Sequence, residues 1–403
     1  MENEARRTAF AGVDRWLADR ITAVWDRLTG RPVSLYAASV LRIGYGLLYL
    51  VFLLREFPHR DEIWGPGSAW TPALAHQLFE QTGWFSILAL SDSRAYFELC
   101  YVLALVTSAL FMLGWRTRVL SVLFAVAVTS FHGRAIFMTD GGDNLIMLMA
   151  IYLALTACGR RWSLDARRDR LKTVRAGHAG HAGNAPERTT SLFTRQLRDA
   201  RTTLITVVHN CGMFVIAVQV CFLYGSAGLY KVQGASWGAG SALHYVLNLE
   251  LFRPWPAISH FVDEYTLVVA IAGYLTVLLQ VAFPFVLFGR LKYPVLAMLL
   301  GMHIGIGVLM GLPLFSGAMI VADAVFLPDR FYTFLPRLCR RPVRRTDSSG
   351  PAPGRAAGPG AVPAQGGPGG ARGSQHHVML PAGRKDTVPA PEPASPQVPP
   401  GTK

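Results

Sequence analysis

Long apolar runs separated by short polar segments dominate the chain up to about residue 335. A helix needs about 20 apolar residues to cross the roughly 30 Å hydrocarbon core of a bilayer. The runs predict eight transmembrane helices, at about 34–54, 95–114, 118–131, 144–158, 203–230, 267–288, 293–312 and 316–327. The third, fourth and eighth runs are short, so these helices could merge, tilt or end partway across. We therefore predict an all-α polytopic membrane protein, a bundle of about eight transmembrane helices.

The composition agrees with a membrane protein. Of 403 residues, 51% are hydrophobic and 16% are charged, whereas soluble domains carry about 25% charged residues. The formal net charge of +14 comes from segments outside the apolar runs, and for a membrane protein anionic lipid rather than nucleic acid is the expected partner of these segments. The five cysteines show no CxxC and no other metal-ligand spacing. We therefore expect neither a disulfide framework nor a metal site.

The distribution of Lys and Arg predicts the orientation, because cytoplasmic loops are enriched in these residues. With the N-terminus inside, the inner segments 1–33 and 159–202 carry six and eleven Lys or Arg. The outer segments 55–94, 132–143 and 231–266 carry three, one and two. The pattern predicts that the N- and C-termini are both cytoplasmic.

Three parts are expected along the chain. Residues 1–33 would form a charged cytoplasmic N-terminal segment, and residues 34–335 the transmembrane domain. Within that domain, residues 159–202 would be a cytoplasmic linker, and the Ala-Gly-His pattern at 176–183 predicts that it is flexible. Residues 336–403 are basic and rich in Pro and Gly, with almost nothing to bury, so we expect a disordered tail.

Ionisable residues within the apolar runs need partners or a role. At a helix centre, Arg, Lys or Asp costs about 2.5–3.5 kcal/mol of insertion free energy. Asp323 is expected to balance Arg42 or His303, a structural pairing. The full set of candidates is Arg42, His209, Lys231, His303 and Asp323, with Asn210, Gln219 and Gln280 as uncharged neighbours.

Lys231 closes the fifth predicted helix at the outer face, where the positive-inside rule disfavours a lysine. One interpretation is an anchor whose amine snorkels to the interface. Another is a general base, because a lysine in a dry, partly apolar pocket holds its proton less tightly. A glycine-rich stretch around Trp237 follows and would allow a ligand to approach closely. Both interpretations remain open at this point.

Two further positions have competing interpretations. His303 lies mid-helix between Gly301 and Gly305, a small-xxx-small pair that favours close helix packing. The histidine would either hydrogen-bond across that interface or belong to a functional site. Asp143 or Asn144 would cap the fourth helix, because acids and amides suit a helix N-terminus.

Several of these stretches resemble one family. Ala227-Gly-Leu-Tyr-Lys231, then Ser236-Trp-Gly-Ala-Gly240 and Leu243-His-Tyr-Val-Leu247, is similar to the signature of the HTTM family. This is the transmembrane domain shared with vitamin K-dependent gamma-carboxylase. The resemblance covers about 30–335 and is greatest to bacterial members akin to the sporulation-delaying protein B group. The other fitting stretches are Arg42-Ile-Gly-Tyr-Gly46, Asp140-Gly-Gly-Asp-Asn144, Trp162-Ser-Leu-Asp165 and His303.

The resemblance implies a multi-pass protein of the bacterial cytoplasmic (inner) membrane, with a carboxylase- or quinone-epoxidase-like site on its outer side. It implies that Lys231 is the catalytic base and that His303 supports the same site. Trp237, Tyr230 and Asn144 are then the candidates for cofactor contacts, with a reduced quinone as the implied cofactor. A small secreted peptide is a second implied partner.

The chain departs from the carboxylase in two ways. Near Asp143 and Asn144 it has no histidine of the kind thought to assist carboxylation, and we expect none of its segments to form the large lumenal substrate-binding domain. Both departures favour quinone epoxidation over gamma-carboxylation. The alternative is a non-enzymatic membrane factor for maturation, export or immunity of a small secreted peptide. A transporter is disfavoured because the spans show no repeated halves.

Overall fold

The computed structural model describes residues 19–20, 22–180 and 192–339. Within these ranges all regular secondary structure is helical, so the predicted all-α class is confirmed. The α-helices of seven or more residues from Leu35 onward are α1 (Leu35–Arg55), α2 (Pro72–Thr82), α3 (Arg94–Leu113), α4 (Thr117–Arg134), α5 (Gly141–Leu155), α6 (Leu164–Gly180), α7 (Leu192–Val232), α8 (Ala242–Asn248), α9 (Pro256–Asp263), α10 (Thr266–Val286), α11 (Lys292–Leu309), α12 (Pro313–Asp323) and α13 (Asp329–Cys339).

Every apolar run of the sequence lies on a helix: α1, α3, α4, α5, α7, α10, α11 or α12. In the described part of the chain, five of these are long and apolar enough to cross a membrane, namely α1, α3, α7, α10 and α11. Helix α5 and the segment Pro313–Phe326 are apolar but shorter. The chain therefore has the helices expected of a multi-pass membrane protein.

The expected flexible linker is helical at both of its ends. Helix α6 continues to Gly180, and α7 begins at Leu192, well before its predicted start near residue 203. Leu, Ala, Arg and Lys are strong helix formers and are frequent here, which explains the difference. The expectation of flexibility is wrong for these helical parts, and residues 181–191 lie outside the described ranges.

The first residues of the expected disordered tail are helical. Helix α13 extends to Cys339, so residues 336–339 are helical rather than part of an irregular tail. Residues 340–403, which hold the remaining Pro- and Gly-rich sequence, lie outside the described part of the chain, as do residues 1–18.

Helix α1 lies at the centre of the packing and contacts α3, α5 and α12. On its buried face, Arg42 is fully buried and donates hydrogen bonds only to backbone carbonyl oxygens. Two of these carbonyl groups lie in the last turn of α3, and the other two lie in the segment after α5. The C=O groups at the end of a helix have no partner within the helix and need another donor. The acceptors are Phe111 (2.8 Å), Met112 (2.6 Å), Cys158 (3.2 Å) and Trp162 (2.7 Å). Of the two partners expected for Asp323, Arg42 or His303, Arg42 is therefore ruled out.

His209 and Asn210 have structural roles on α7. Nε2 of His209 lies 2.7 Å from the carbonyl oxygen of Val33, and Nδ1 accepts a hydrogen bond from the Ala157 amide at 3.0 Å. Oδ1 of Asn210 accepts from the Val33 amide at 2.9 Å. All hydrogen bonds of the two side chains are to backbone atoms, either of residues 27–33 or of Ala157. The two side chains therefore hold in place the segment that leads into α1.

Helices α7 and α10 form the most extensive helix–helix contact in the described part of the chain. The contact depends on Gly228, because a Cβ there would lie 2.8 Å from Val281 Cγ2 and 2.9 Å from the Val281 amide nitrogen. Such separations are shorter than any ordinary carbon contact. Residues of both helices beside this contact also line a cavity.

Candidate functional site

A cavity of about 560 Å³ lies among α7, α8, α10, α11 and the start of α12. Its wall is almost entirely apolar and includes Leu279, Met302 and Phe315. Lys231 from α7 and His303 from α11 line the same cavity. The structure thus brings together the two residues that the family resemblance assigns to one site.

Lys231 lies at the end of α7 and is partly buried. Its Nζ donates to the Ala227 carbonyl oxygen at 3.4 Å and lies 5.4 Å from the centre of the Trp237 ring. Among the residues that the structure describes, no carboxylate forms an ion pair with it. The amine therefore faces an apolar cavity with an aromatic ring as its main favourable contact.

His303 belongs to a buried polar chain. The Tyr224 hydroxyl donates to Asp323 Oδ2 at 2.9 Å, and Nε2 of His303 lies 3.0 Å from the same hydroxyl oxygen. A hydroxyl has one proton, so when that proton points to the carboxylate, Nε2 must be the donor to Tyr224. Nδ1 of a neutral His303 then carries a free lone pair. The expected pairing of Asp323 with His303 is thus mediated by Tyr224.

Two buried polar atoms in the cavity wall have no hydrogen-bond partner within the described chain. They are Nδ1 of His303 and Oε1 of Gln280, in residues that are 2% and 6% exposed. Most buried polar side-chain atoms in proteins have a partner. Both atoms are acceptors in the arrangement above, so the wall offers two acceptor positions to a ligand.

The proposed cofactor contacts are not all in this cavity. Trp237 lines it. Tyr230 is 81% exposed and does not line it. Asn144 is exposed at the start of α5, where its Nδ2 donates to the Asp140 carbonyl oxygen at 2.8 Å. Of the three candidates, Trp237 is the one that this geometry supports.

Gly301 and Gly305 of α11 do not pack as expected. A Cβ added to Gly301 or Gly305 would meet nothing within 4 Å, so the predicted close helix contact at this pair is wrong. Gly305 instead lines the cavity.

Tyr224 and Gln280 are site residues that the sequence argument did not assign a role. Tyr224 lies one heptad before Lys231, and residues seven apart lie on the same face of a helix. That spacing is a signal that could have identified Tyr224. The sequence marked Gln280 only as a polar residue in an apolar run, and its position in the wall depends on how α10 packs.

The acidic turn before α5 is a helix cap. Asp140 is the N-cap residue, and its Oδ1 accepts from the amides of Gly142 (2.6 Å) and Asp143 (3.0 Å). Asp143 Oδ2 accepts in return from the Asp140 amide at 3.0 Å, which completes a capping box. The prediction of a cap is right, but the N-cap position belongs to Asp140 rather than to Asp143 or Asn144.

Asp165 has a similar structural role on the opposite side of the bundle. Its carboxylate accepts from the Arg116 amide at 3.0 Å and from the amide and hydroxyl of Thr117, both at 2.7 Å. Burial acts to raise the pKa of Asp165, but the hydrogen bonds from Thr117 and Arg116 and the charge of Arg168 lower it below its usual value. The carboxylate thus holds the start of α4 against the start of α6.

His244 fixes the rim of the cavity. Its Nδ1 lies 2.7 Å from Asp263 Oδ1, and Asn248 Nδ2 donates to the other oxygen of that carboxylate at 2.8 Å. These contacts join α8 to the end of α9. Helix α8 contributes Leu243 and Leu247 to the cavity wall, so the His244 contact positions part of the wall without lining it.

Comparison of the chain with protein-family models, with curated proteins and with solved structures finds no match. The HTTM resemblance therefore depends on the short stretches quoted above.

Proposed function

We propose that the protein is an HTTM-type membrane enzyme of the bacterial cytoplasmic membrane that acts on a lipid-soluble reduced quinone. One observation carries the proposal: Lys231 and His303 line a single, largely apolar cavity of about 560 Å³. This volume lies within the range of about 300–1,000 Å³ typical of small-molecule sites. The chemistry is carboxylase-related and of the quinone-epoxidase type.

The lining of the cavity fits a reduced quinone. Such a molecule has an apolar ring system with two hydroxyl groups, and it supplies hydrogen-bond donors and reducing equivalents when bound. His303 Nδ1 and Gln280 Oε1 are buried acceptors without a partner in the described chain. Trp237 offers an aromatic surface at the edge of the same space. The apolar wall excludes water from both acceptors.

Lys231 and His303 have different roles in the proposed proton transfer. Deprotonated Lys231 is the general base and takes a proton at Nζ. Its amine faces an apolar space and has no ion-pair partner in the described residues, and both conditions favour the neutral amine. His303 supports it as a second acceptor at Nδ1. The Tyr224 hydroxyl, itself bound to the Asp323 carboxylate, holds the opposite ring nitrogen and orients the imidazole.

The proposed topology has eight spans with both termini in the cytoplasm. The eight apolar runs lie on helices, and their connecting segments alternate between many and few basic residues. In this orientation the Lys231 end of α7 and the cavity face the outer leaflet. Tags at either terminus should be reached by a membrane-impermeant reagent only after the cells are permeabilised.

The test uses the full chain in nanodiscs and menadiol as the probe. We expect saturable quenching of tryptophan fluorescence and oxygen-dependent consumption of menadiol. Lys231→Ala should abolish the consumption while the protein stays folded. Lys292→Ala is the matched control, because Lys292 also contacts an aromatic ring, Tyr293 at 5.2 Å, but does not line the cavity. Consumption at the wild-type rate in Lys231→Ala would end the proposal.

A non-enzymatic membrane factor for a secreted peptide is the second candidate. It is favoured by the contacts of Lys231 with the Ala227 carbonyl and the Trp237 ring, which are those of a helix-terminal anchor. Lys231→Arg separates the two candidates, because Arg keeps the positive charge but does not act as a base. Peptide maturation, export or immunity that survives Lys231→Arg supports the factor, and loss of menadiol consumption in the same variant supports the enzyme.

A further inference from the structure

A second cavity, of about 270 Å³, lies beside the start of α5 and differs from the first in charge. Its wall includes the carboxylates of Glu56, Asp140 and Asp143 and one cation, Arg55. Arg55 Nε donates to Glu56 Oε1 at 2.6 Å, so these two charges compensate each other. Within the described chain, Asp140 and Asp143 form no ion pair. The cavity is therefore negatively charged.

The carboxylates of Asp140 and Asp143 each have one oxygen that the helix cap does not use. The capping box uses Oδ1 of Asp140 and Oδ2 of Asp143. The remaining oxygens, Asp140 Oδ2 and Asp143 Oδ1, accept no hydrogen bond from the residues that the structure describes. An ionised carboxylate has about four acceptor positions, so both remain able to bind a donor.

Two buried polar side chains in the same wall also lack partners. Tyr49 Oη and His132 Nδ1 make no hydrogen bond within the described ranges, and their residues are 4% and 9% exposed. Both residues line the cavity. Unpartnered buried groups of this kind indicate that something else completes their hydrogen bonds, either a ligand or water.

Aromatic rings form much of the remaining wall. Trp64 lies edge-on to Phe52, with ring centres 5.6 Å apart, and to Phe131 at 5.5 Å. Together with Tyr49 and Phe315, these rings line the space beside the carboxylates. The faces of aromatic rings attract cations, and aromatic cages are a known means of binding ammonium groups.

We propose that this cavity binds the ammonium group of a small organic amine. The Asp140 and Asp143 carboxylates balance its charge, the Tyr49 hydroxyl accepts a hydrogen bond from it, and the aromatic rings surround its apolar part. An anion would meet the same carboxylates and be repelled. The site shares Leu312 and Phe315 with the first cavity as a common wall. It stands independently of the proposed quinone chemistry.

Isothermal titration calorimetry of the full chain in phosphatidylglycerol nanodiscs tests the proposal. The probes are ethanolamine hydrochloride and tetramethylammonium chloride, with sodium acetate and tert-butanol as the anionic and neutral comparisons. We expect saturable binding of the two ammonium probes only. Absence of saturable binding, or equal binding of tert-butanol, would overturn the proposal and leave the cavity to water.

Variants connect the binding to the named residues. Asp143→Asn keeps an oxygen acceptor for the capping box and removes the charge, so we expect about tenfold or greater loss of affinity for both probes. Glu264→Gln is the control, because Glu264 is exposed at the end of α9 and lines neither cavity. Undiminished binding in Asp143→Asn contradicts the assignment.

Tyr49→Phe gives a second test that does not alter the helix cap. It keeps the ring and removes the unpartnered hydroxyl, so ethanolamine should bind more weakly while tetramethylammonium, which donates no N–H, should bind as before. An equal effect on both probes would overturn the role of the hydroxyl and, with it, the proposed arrangement.

The same titration in nanodiscs that contain phosphatidylethanolamine distinguishes two sources of the amine. A lower apparent affinity for ethanolamine in these nanodiscs identifies a lipid headgroup as the occupant. An unchanged affinity identifies a soluble amine. Both results support ammonium recognition.

Discussion

The Tyr224 hydroxyl oxygen lies 3.0 Å from Nε2 of His303 and thereby joins α7 to α11 at the apolar cavity. Because the hydroxyl proton points to Asp323, the contact fixes which ring nitrogen of His303 faces the cavity with a free lone pair. Tyr224, a residue of α7, thus determines which nitrogen of His303 on α11 can accept a hydrogen bond from a ligand.

Tyr224→Phe should destabilise the protein by about 1–3 kcal/mol. The change leaves Asp323 Oδ2 and His303 Nε2 buried without a partner, and unmade buried hydrogen bonds cost about this much. Thermal unfolding in detergent measures it. Tyr230→Phe is the control on the same helix, since Tyr230 is largely exposed. If both variants unfold at the same temperature, the polar chain contributes nothing to stability.

Gly228→Ala should destabilise the protein, whereas Gly225→Ala should not. A Cβ at position 228 would lie within 3.0 Å of Val281 and Gln280 atoms, so α7 and α10 must move apart, at a cost of about 1–3 kcal/mol. At position 225 the nearest atom is Pro284 Cγ at 3.5 Å, an ordinary contact. Alanine should there add about 0.5–1 kcal/mol of helix stability.

The thermal unfolding midpoints of the two glycine variants decide this prediction. The midpoint should fall for Gly228→Ala and rise for Gly225→Ala. Equal tolerance of alanine at the two positions would contradict the close approach of α7 and α10.

Arg42→Lys should destabilise the protein by about 3 kcal/mol or more although the charge is kept. The guanidinium donates to four carbonyl oxygens on two sides, and an ammonium group with three donors on a different stem does not reproduce this arrangement. The yield of folded protein after detergent extraction and its thermal midpoint measure the effect. Arg167→Lys, at an exposed position on α6, should leave both unchanged.

Asp165 should make stability depend on acid. Its folded-state pKa lies below the usual value of 3.8, so its contribution is fully present above that value and is lost as the pH falls through the lower, folded-state pKa. Asp165→Asn should cost about 1 kcal/mol at neutral pH through the weakened cap of α4. Its thermal midpoint should then fall less steeply than that of wild type below pH 4.

Asp169→Asn, one turn further along α6 and exposed, is the control for the acid dependence. It should follow the wild-type curve of thermal midpoint against pH. A wild-type curve for Asp165→Asn would show that the carboxylate does not stabilise the junction of α4 and α6.

The positions of the helices were predictable because hydrophobicity along a chain is a local property. The apolar runs that begin near residues 34, 95 and 267 became α1, α3 and α10 within one or two residues at their starts. The early start of α7 and the helical α6 were missed, because charged and alanine-rich segments can form helices without an apolar stripe. The sequence also selected Lys231 and His303, since an ionisable residue in an apolar helix is conspicuous wherever the helix packs.

What the sequence by itself determined is therefore the class of the protein, the location of its main helices and the residues worth attention. Only the tertiary structure decided their partners: Arg42 binds carbonyl oxygens rather than Asp323, and Gly228 rather than Gly301 allows helices to approach closely. Partners depend on how each helix is rotated and which neighbour it meets, and these depend on the whole packing. For the same reason Tyr224 and Gln280 became site residues only once α7, α10 and α11 enclosed a common space.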